Sequence, residues 1–346
     1  MKIAGRLIDG EGERGAFVIA EVAQAHDGSL GYAHAFIDAT ADAGADAVKF
    51  QTHIADAEST LDEKFRIPLS GQDGTRWDYW RRMEFTREQW AGLAEHAARR
   101  NLVFLSSPFS PAAVELLAGI GIPAWKVGSG EAFNPSLVDQ MLRHGGPILL
   151  SSGMSTWAEI AGMVAHIQGK GGEVALFQCS SRYPTPLEDV GVNIVDELRR
   201  RFALPVGLSD HSGTPWPALA CLGKCIDLLE VHVTFDRRMY GPDTSSSLTF
   251  SELTMVAQAN RAFAAMRASP VDKDKAAQQL EKTKAMFTKS LSPVSDLPAG
   301  TVLTAEMLTV KKPGGGLSFE QLGQVLGRRL CRDVPANRLL RLDDLA

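Results

Sequence analysis

The stretch Ala47–His53, AVKFQTH, carries two patterns at once. Ala47, Val48 and Phe50 suggest a buried strand, yet Lys49, Gln51 and His53 recur at every second position. Side chains two apart on a strand point to one face, so the three polar groups share a side. A lysine facing inward from a buried strand is costly unless a charged group meets it. The stretch therefore predicts a strand whose polar face lines a site.

Seven further apolar runs resemble it: FVIAE (17–21), LVFLSS (102–107), AWKVGSG (124–130), PILLSSG (147–153), VALFQCS (174–180), LPVGLSD (204–210) and DLLEVHV (227–233). Helix-like segments separate the runs, among them GYAHAFIDATADAGA (31–45), REQWAGLAEHAARRN (87–101), PAAVELLAGIG (111–121) and STWAEIAGMVAHIQGKGG (155–172). Several end in Gly or Asn, as helix C-caps do. Strand–helix alternation predicts parallel strands joined by helical crossovers. Eight such strands fit a (β/α)8 barrel. Nearly every run turns polar at its C-terminal end, and a closed barrel gathers those ends on one rim, where active sites of this fold lie. A doubly wound open sheet, the competing fold, would use only a switch point.

The chain has 346 residues, 45% apolar and 22% charged, with net charge −5. That composition suits a globular protein with a large core. No basic tail or stripe suggests a nucleic-acid partner. No apolar run reaches the roughly 18 residues of a membrane span, and MKIAGRLIDGEGERG has no apolar segment of a signal peptide. Of the four cysteines, Cys221 and Cys225 fit one helix face better than a zinc knuckle. All four read as reduced, which suits the cytoplasm.

Past residue 266 the rhythm changes. We expect a barrel over 1–266, a charged linker with some helix over 267–285 and a small β-rich domain over 286–346. That domain holds a degenerate repeat: DLPAGTVLTAEML (296–308) and DVPANRLLRLDDL (333–345). Gly300 matches Asn337, both types that tolerate positive φ, so each is expected to close a turn. The pair suggests a pseudo-symmetric module.

On the rim, Lys49 and Lys126 supply cations, and Gln51, Ser107, Ser129, Ser151 and Ser209 supply hydrogen-bond donors. This lining suits a small anion bearing carboxylate and phosphate. His211 and His232 belong to consecutive strand ends and could share one metal. Glu21 and Glu230 are candidates for proton transfer or for orienting a histidine. Trp77, Tyr79 and Trp80 read as loop packing. Ser152 and Ser155 read as helix N-caps. His34, His96, His144 and His166 read as surface or packing residues; His26 reads as a site residue, and His53 is open between the two.

The motifs IAEVAQAHDGS, GADAVKFQTH, FLSSPFS, AWKVGSGE, LLSSGMS, YPTP, GLSDHS and GPD occur in that order. Together they resemble the sialic acid (nonulosonic acid) synthase family. LPAGTVLTAEML and VKKPGGG resemble its C-terminal antifreeze-like (SAF) domain. The resemblance implies an enzyme that condenses phosphoenolpyruvate (PEP) with N-acetylmannosamine or a related N-acetylated amino sugar, releasing phosphate. It implies a divalent metal, Mn²⁺ with Mg²⁺ or Co²⁺ as alternatives, on His211 and His232. It assigns PEP to Lys49, Gln51, Ser107, Lys126, Ser129, Ser151, Tyr183 and Ser209. It assigns the sugar to Gln72, Asp243 and Lys312, and catalysis to Glu21, Glu131 and Glu230. It also implies a domain-swapped homodimer. Four positions depart from the family pattern, one of them Ser107, where a threonine is common and the hydroxyl is kept. Ala25 stands where Asn precedes His26, with Gln24 beside it as a possible substitute donor. Ser181 replaces an asparagine, and Lys312 an arginine whose bidentate fork lysine lacks. Legionaminic or pseudaminic acid synthases, using di-N-acetylated trideoxy sugars, are the nearest alternatives. Remoter ones are a sugar-phosphate PEP synthase, a Schiff-base aldolase on Lys49 or Lys126, and a non-catalytic carbohydrate-binding protein.

Overall fold

A computed structural model describes residues 1–10, 15–67 and 71–346. Contacts group Met1–Ser269 into one compact unit and Pro270–Ala346 into another.

The first unit opens with a short hairpin, β1 (Lys2–Ile3) and β2 (Arg6–Leu7). Eight parallel strands follow: β3 (Phe17–Ala23), β4 (Ala47–Thr52), β5 (Val103–Pro108), β6 (Trp125–Val127), β7 (Ile148–Ser151), β8 (Val174–Cys179), β9 (Val206–Asp210) and β10 (Leu228–Thr234). They pair in the order β5-β4-β3-β10-β9-β8-β7-β6, with β11 (Leu248–Thr249) beside β10. β5 and β6 lie side by side without a hydrogen-bonded ladder, so the barrel is nearly closed. The eight strands match the eight apolar runs.

Helices α1 (Leu30–Ala43), α4 (Arg87–Arg99), α5 (Pro111–Ile120), α6 (Pro135–His144), α7 (Trp157–Gly169), α8 (Val192–Phe202), α9 (Trp216–Gly223) and α10 (Phe250–Ala268) cover the outside, while α2 (Ala55–Glu58) and α3 (Arg76–Met83), in the connection after β4, pack in a cluster of their own. Their ends are written locally. Thr86 with Gln89, Thr156 with Glu159 and Thr249 with Glu252 form reciprocal capping boxes. Gly44 closes α1 in the left-handed region at φ 80°. Ser152 and Ser155 do not cap α7; Thr156 does, and the Ser152 hydroxyl donates to Phe177 O on the neighbouring strand β8. Cys225 lies beyond the end of α9 with a left-handed φ of 58°, so it shares no helix face with Cys221. All four cysteines are free.

Two cores follow from the period of two along each strand. Outward residues such as Val18, Ala20, Val48, Phe50 and Val231 pack under the helices. Inward residues Phe17, Ile19, Ala47, Leu105, Leu149, Phe177 and Leu228 fill the barrel, closed below by Ile3 and Ile8 of the hairpin. Two residues further along, the inward positions turn polar: Glu21, Lys49, Ser107, Lys126, Ser151, Cys179, Ser209 and Glu230. The same alternation that packs the barrel thus raises a polar layer above it.

The second unit holds α11 (Lys273–Gln279), α12 (Glu281–Phe287), the antiparallel pair β12 (Ser290–Pro293) and β13 (Leu308–Lys311), and α13 (Leu322–Val325). Much of the expected linker is therefore helical. The repeat is expressed in the structure. Leu297 and Val334 exchange both backbone hydrogen bonds at 2.9 Å. Asp333 accepts from Ala299 N and Asp296 from Ala336 N, each at 2.7 Å. Both copies close a turn, from Pro298 to Thr301 and from Pro335 to Arg338. Only Gly300 uses positive φ, at 85°; Asn337 does not.

Candidate active site

The polar layer floors a small inner chamber lined by Glu21, Lys49, Gln51, Ser107, Lys126, Ser129, Ser151, Tyr183, Ser209, His211, Glu230 and His232, with Phe109, Gly128 and Cys179. Every residue assigned by resemblance to PEP or to the metal lies here. Sheet register explains the proximity. Glu21 pairs with Lys49 and with His232, Gln51 with Ser107, and Ser209 with Glu230 across neighbouring strands. His211 lies one residue past β9, whereas His232 stands within β10.

Lys49 meets Glu21, Nζ to Oε2 at 2.7 Å, with both side chains no more than 3% exposed. Glu230 lies between the two lysines, 3.9 Å from Lys49 and 3.7 Å from Lys126, and accepts from Ser209 Oγ at 3.0 Å. Lys126 also donates to Ser151 Oγ at 2.6 Å. Gln51 Nε2 donates to Glu21 Oε1 at 2.9 Å. The two carboxylates are tuned apart. Burial raises Glu21 to about 7, against the pull of Lys49. Glu230 is equally buried, but Lys126 and Lys49 outweigh that and hold it below the usual carboxylate range. Glu230 is thus a fixed anion set between two lysines, of which Lys126 is lowered by burial against the pull of Glu230, whereas Glu21 can exchange a proton near neutrality.

His211 and His232 have ring centroids 5.0 Å apart, and burial lowers each to about 3. His211 Nδ1 faces Ser180 O at 3.1 Å, which makes it the donor and leaves Nε2 with the lone pair, 3.0 Å from the Tyr183 hydroxyl. His232 makes no hydrogen bond among the described residues. Two neutral imidazoles, one oriented by a backbone carbonyl and with its lone pair held only by the Tyr183 hydroxyl, which an ion would displace, fit a divalent ion. No third His, Cys, Asp or Glu completes a cluster among the described residues, so such an ion would draw its other ligands from water and substrate.

Above lies an outer chamber of about 480 Å³, which shares Gln51, Phe109, Gly128, Ser129, Tyr183 and His232 with the inner one. Glu131 and Asp243 line it. Glu131 accepts from Asn134 and stands outside the lysine layer. Arg66 closes over Asp243 and Tyr183, donating to Asp243 Oδ1 at 2.8 Å with its guanidinium 4.1 Å from the Tyr183 ring centroid. Gln72 is exposed and lines neither chamber. Lys312 belongs to the second unit, its ammonium 5.3 Å from the Phe287 ring centroid. Ser181 lines the outer chamber with its hydroxyl unpaired.

Sequence reasoning missed Arg66, Arg76, Glu58, Glu63 and Phe109 of the outer chamber. They come from loops and short helices whose direction no periodicity reveals. Trp80 is more than loop packing: it lines the chamber and stacks on His53 at 3.7 Å, while Tyr79 does pack in a buried cluster. His26, read as a site residue, is not brought to either chamber. Its ring packs against Phe85 at 4.8 Å and accepts from Gly28 N.

Comparison with known proteins agrees with this architecture. Residues 36–271 match the NeuB family and residues 288–346 the SAF domain. The chain belongs to the NeuB family and carries a SAF domain; it is an enzyme of the nonulosonic (sialic) acid synthase class. It is 30% identical to an N,N'-diacetyllegionaminic acid synthase of Campylobacter jejuni, over 94% of this chain and 98% of that one. It is 29% identical to the human N-acetylneuraminate-9-phosphate synthase, over 87% and 84%. The crystal structure of an N-acetylneuraminic acid synthetase of Leptospira borgpetersenii, in complex with citrate, superposes with TM-score 0.68 at 25% identity, covering 83% of this chain and 95% of that one. No helix among the described residues is long and apolar enough to cross a membrane.

Proposed function

We propose that this enzyme condenses PEP with an unphosphorylated N-acetylated amino sugar, giving a nine-carbon α-keto acid and phosphate. The observation that carries the reading is the buried layer of Lys49, Lys126, Glu21 and Glu230 beneath two neutral histidines. The phosphate and carboxylate of PEP would displace the carboxylates as partners of the lysines. Ser107, Ser129, Ser151, Tyr183 and Ser209 would orient the anion. PEP C3 then attacks the sugar aldehyde carbon, held in reach by the chamber walls. C2 is left electron-poor, and water adds there. Glu21, poised near neutrality, accepts that water's proton. The C2–O bond to phosphate breaks, its electron pair leaving with phosphate, and the proton lost by the C2 hydroxyl as the keto group forms balances the one taken up by the alkoxide left from the aldehyde. When bound on His211 and His232, a divalent ion, Mn²⁺ with Mg²⁺ or Co²⁺ as alternatives, would polarise the aldehyde as a Lewis acid.

The outer chamber supports a neutral sugar. Among the described residues it presents four carboxylates, Glu58, Glu63, Glu131 and Asp243, against two guanidiniums, Arg66 and Arg76. Arg66 is paired with Asp243 and Arg76 with Glu63 at 3.4 Å. A sugar phosphate would meet a net negative wall. Asp243 and Glu131 are placed to accept from sugar hydroxyls. The reading includes a homodimer, in keeping with the family resemblance.

The test is phosphate release from PEP with Mn²⁺, across N-acetylmannosamine, its 6-phosphate and the di-N-acetylated trideoxy sugars, with and without chelator. We expect release that needs metal and one unphosphorylated sugar. Chelator-insensitive turnover with a borohydride-trapped adduct on Lys126 or Lys49 would replace this reading by the Schiff-base one.

A further inference from the structure

Five side chains form one directional hydrogen-bonded chain from the outer chamber to Glu21. His53 follows β4, and its Nδ1 lies 2.5 Å from Glu58 Oε1 on α2. Both residues are nearly inaccessible, with side-chain exposures of 4% and 7%. The imidazole is clamped between Trp80 at 3.7 Å and Phe109 at 4.4 Å, with interplanar angles of 16° and 8°. The ring therefore cannot turn, and burial holds it neutral against the pull of Glu58.

A carboxylate has no hydrogen to give, so Nδ1 carries the proton and Nε2 the lone pair. That lone pair faces Gln24 Nε2 at 2.8 Å. The second N–H of the same amide is donated to Gln51 Oε1. Gln51 must then offer its own Nε2 onward, and it does, to Glu21. His53 Nε2 also lies 3.2 Å from Gln51 Oε1; with the ring proton on Nδ1 both are acceptors, and the Gln24 amide between them supplies a hydrogen to each. The backbone serves the same end. The β3–β4 register shifts between Glu21 and Ala23, and Ala23 takes a left-handed φ of 49°. This conformation is uncommon for a residue with a Cβ, and it turns Gln24 into the chamber.

We propose that Glu58, His53 and Gln24 are positioning residues that set the rotation of the Gln51 amide, so that its N–H and not its C=O faces Glu21. The proposal rests on the inner chamber being the reaction centre. With the amide reversed, an oxygen would face an oxygen across the Gln51–Glu21 contact, and the hydrogen bond that aims Glu21 would be lost. None of the three positioning residues touches the lysine layer, so their effect is transmitted through Gln51 alone.

The experiment uses the full chain with Glu58→Gln, Gln24→Leu and the double variant. A glutamine at 58 can donate to His53 Nδ1, which moves the ring proton to Nε2; that N–H faces Gln24 at 2.8 Å and Gln51 Oε1 at 3.2 Å, and the nearer Gln24 amide turns its oxygen to it and reverses Gln51 behind it. Imidazole ¹⁵N shifts read the tautomer, and a neutron structure reads the Gln51 rotation. Phosphate release reads turnover, and thermal unfolding checks that each variant is folded. We expect E58Q to switch the tautomer, turn Gln51 and lower kcat about 10-fold or more, the usual scale for an orienting partner, with little change in KM for PEP. In the Gln24→Leu background E58Q should have a smaller effect on kcat, since only the longer direct contact of 3.2 Å between His53 Nε2 and Gln51 Oε1 remains. An unturned Gln51 in E58Q overturns the proposal whatever the activity. So does an unchanged kcat, or an equal loss in both backgrounds. Wild-type protein that releases no phosphate with any sugar overturns the function above, and the tautomer and amide rotation still decide the positioning.

Discussion

At the scale of single residues, the inner chamber sets two carboxylates to opposite tasks. Glu230 is ionised and wedged between Lys49 and Lys126. Glu230→Gln would leave two buried ammoniums sharing Glu21, and removal of one partner from a buried pair costs about 3–5 kcal/mol. A fall in the unfolding temperature at pH 7 is expected; an unchanged midpoint would show that the lysines are not held by Glu230. The pH dependences differ in sign. Glu21 binds its proton more tightly when folded, so its contribution is complete below the unfolded carboxylate pKa and is lost as pH rises toward 7. Glu230 is depressed, so its contribution holds above the unfolded pKa and is lost only in stronger acid. Unfolding temperatures from pH 5 to 8 should fall more steeply for wild type than for Glu21→Gln. Parallel curves would contradict the assignment of the titrating group.

At the scale of elements, the barrel strands were readable in advance, and so was their polar layer. Inward residues alternate with a period of two, and ladder register lines up corresponding steps of neighbouring strands. Lys49 and Glu21 are direct register partners, so AVKFQTH and FVIAE together encode the buried ion pair. Legibility ended where period gave way to turns. The His26 motif reads as a site, but past the bulge in β3 the chain turns and its ring packs against Phe85. The Glu58–His53 pair depends on the start of α2, and Arg66 on a loop closing over Asp243 from 177 residues away in sequence. Strand β9 offers a check on packing inside the barrel. A Cβ on Gly207 would lie 2.6 Å from Leu228 O and 2.9 Å from the Phe177 ring. Gly207→Ala should therefore destabilise by about 1–3 kcal/mol, read as a lower denaturant midpoint. A neutral result would mean β9 and β10 separate easily.

At the scale of the whole chain, two different kinds of repetition build the two units. The first repeats a strand and helix around a barrel. The second repeats one turn about a local pseudo-two-fold, with Asp296 and Asp333 each bonding the other copy's backbone. Asp333→Ala should speed amide exchange at Ala299 and leave Ala336 protected, and Asp296→Ala should do the reverse. Each lost bond is worth about 1 kcal/mol, roughly a five-fold change in exchange. Equal acceleration at both amides would mean the unit opens as a whole rather than copy by copy.

The nesting of the two chambers also has a kinetic consequence. The lysine floor communicates with solvent through the wider acidic space above it, where Tyr183 and His232 belong to both walls. A molecule resting in the upper space blocks the route to the floor. Addition should therefore follow a compulsory order, with the anion entering first and the sugar second. Excess sugar should act as a dead-end inhibitor, competitive against PEP. Initial-rate patterns indicating random addition would require a second doorway to the lysines.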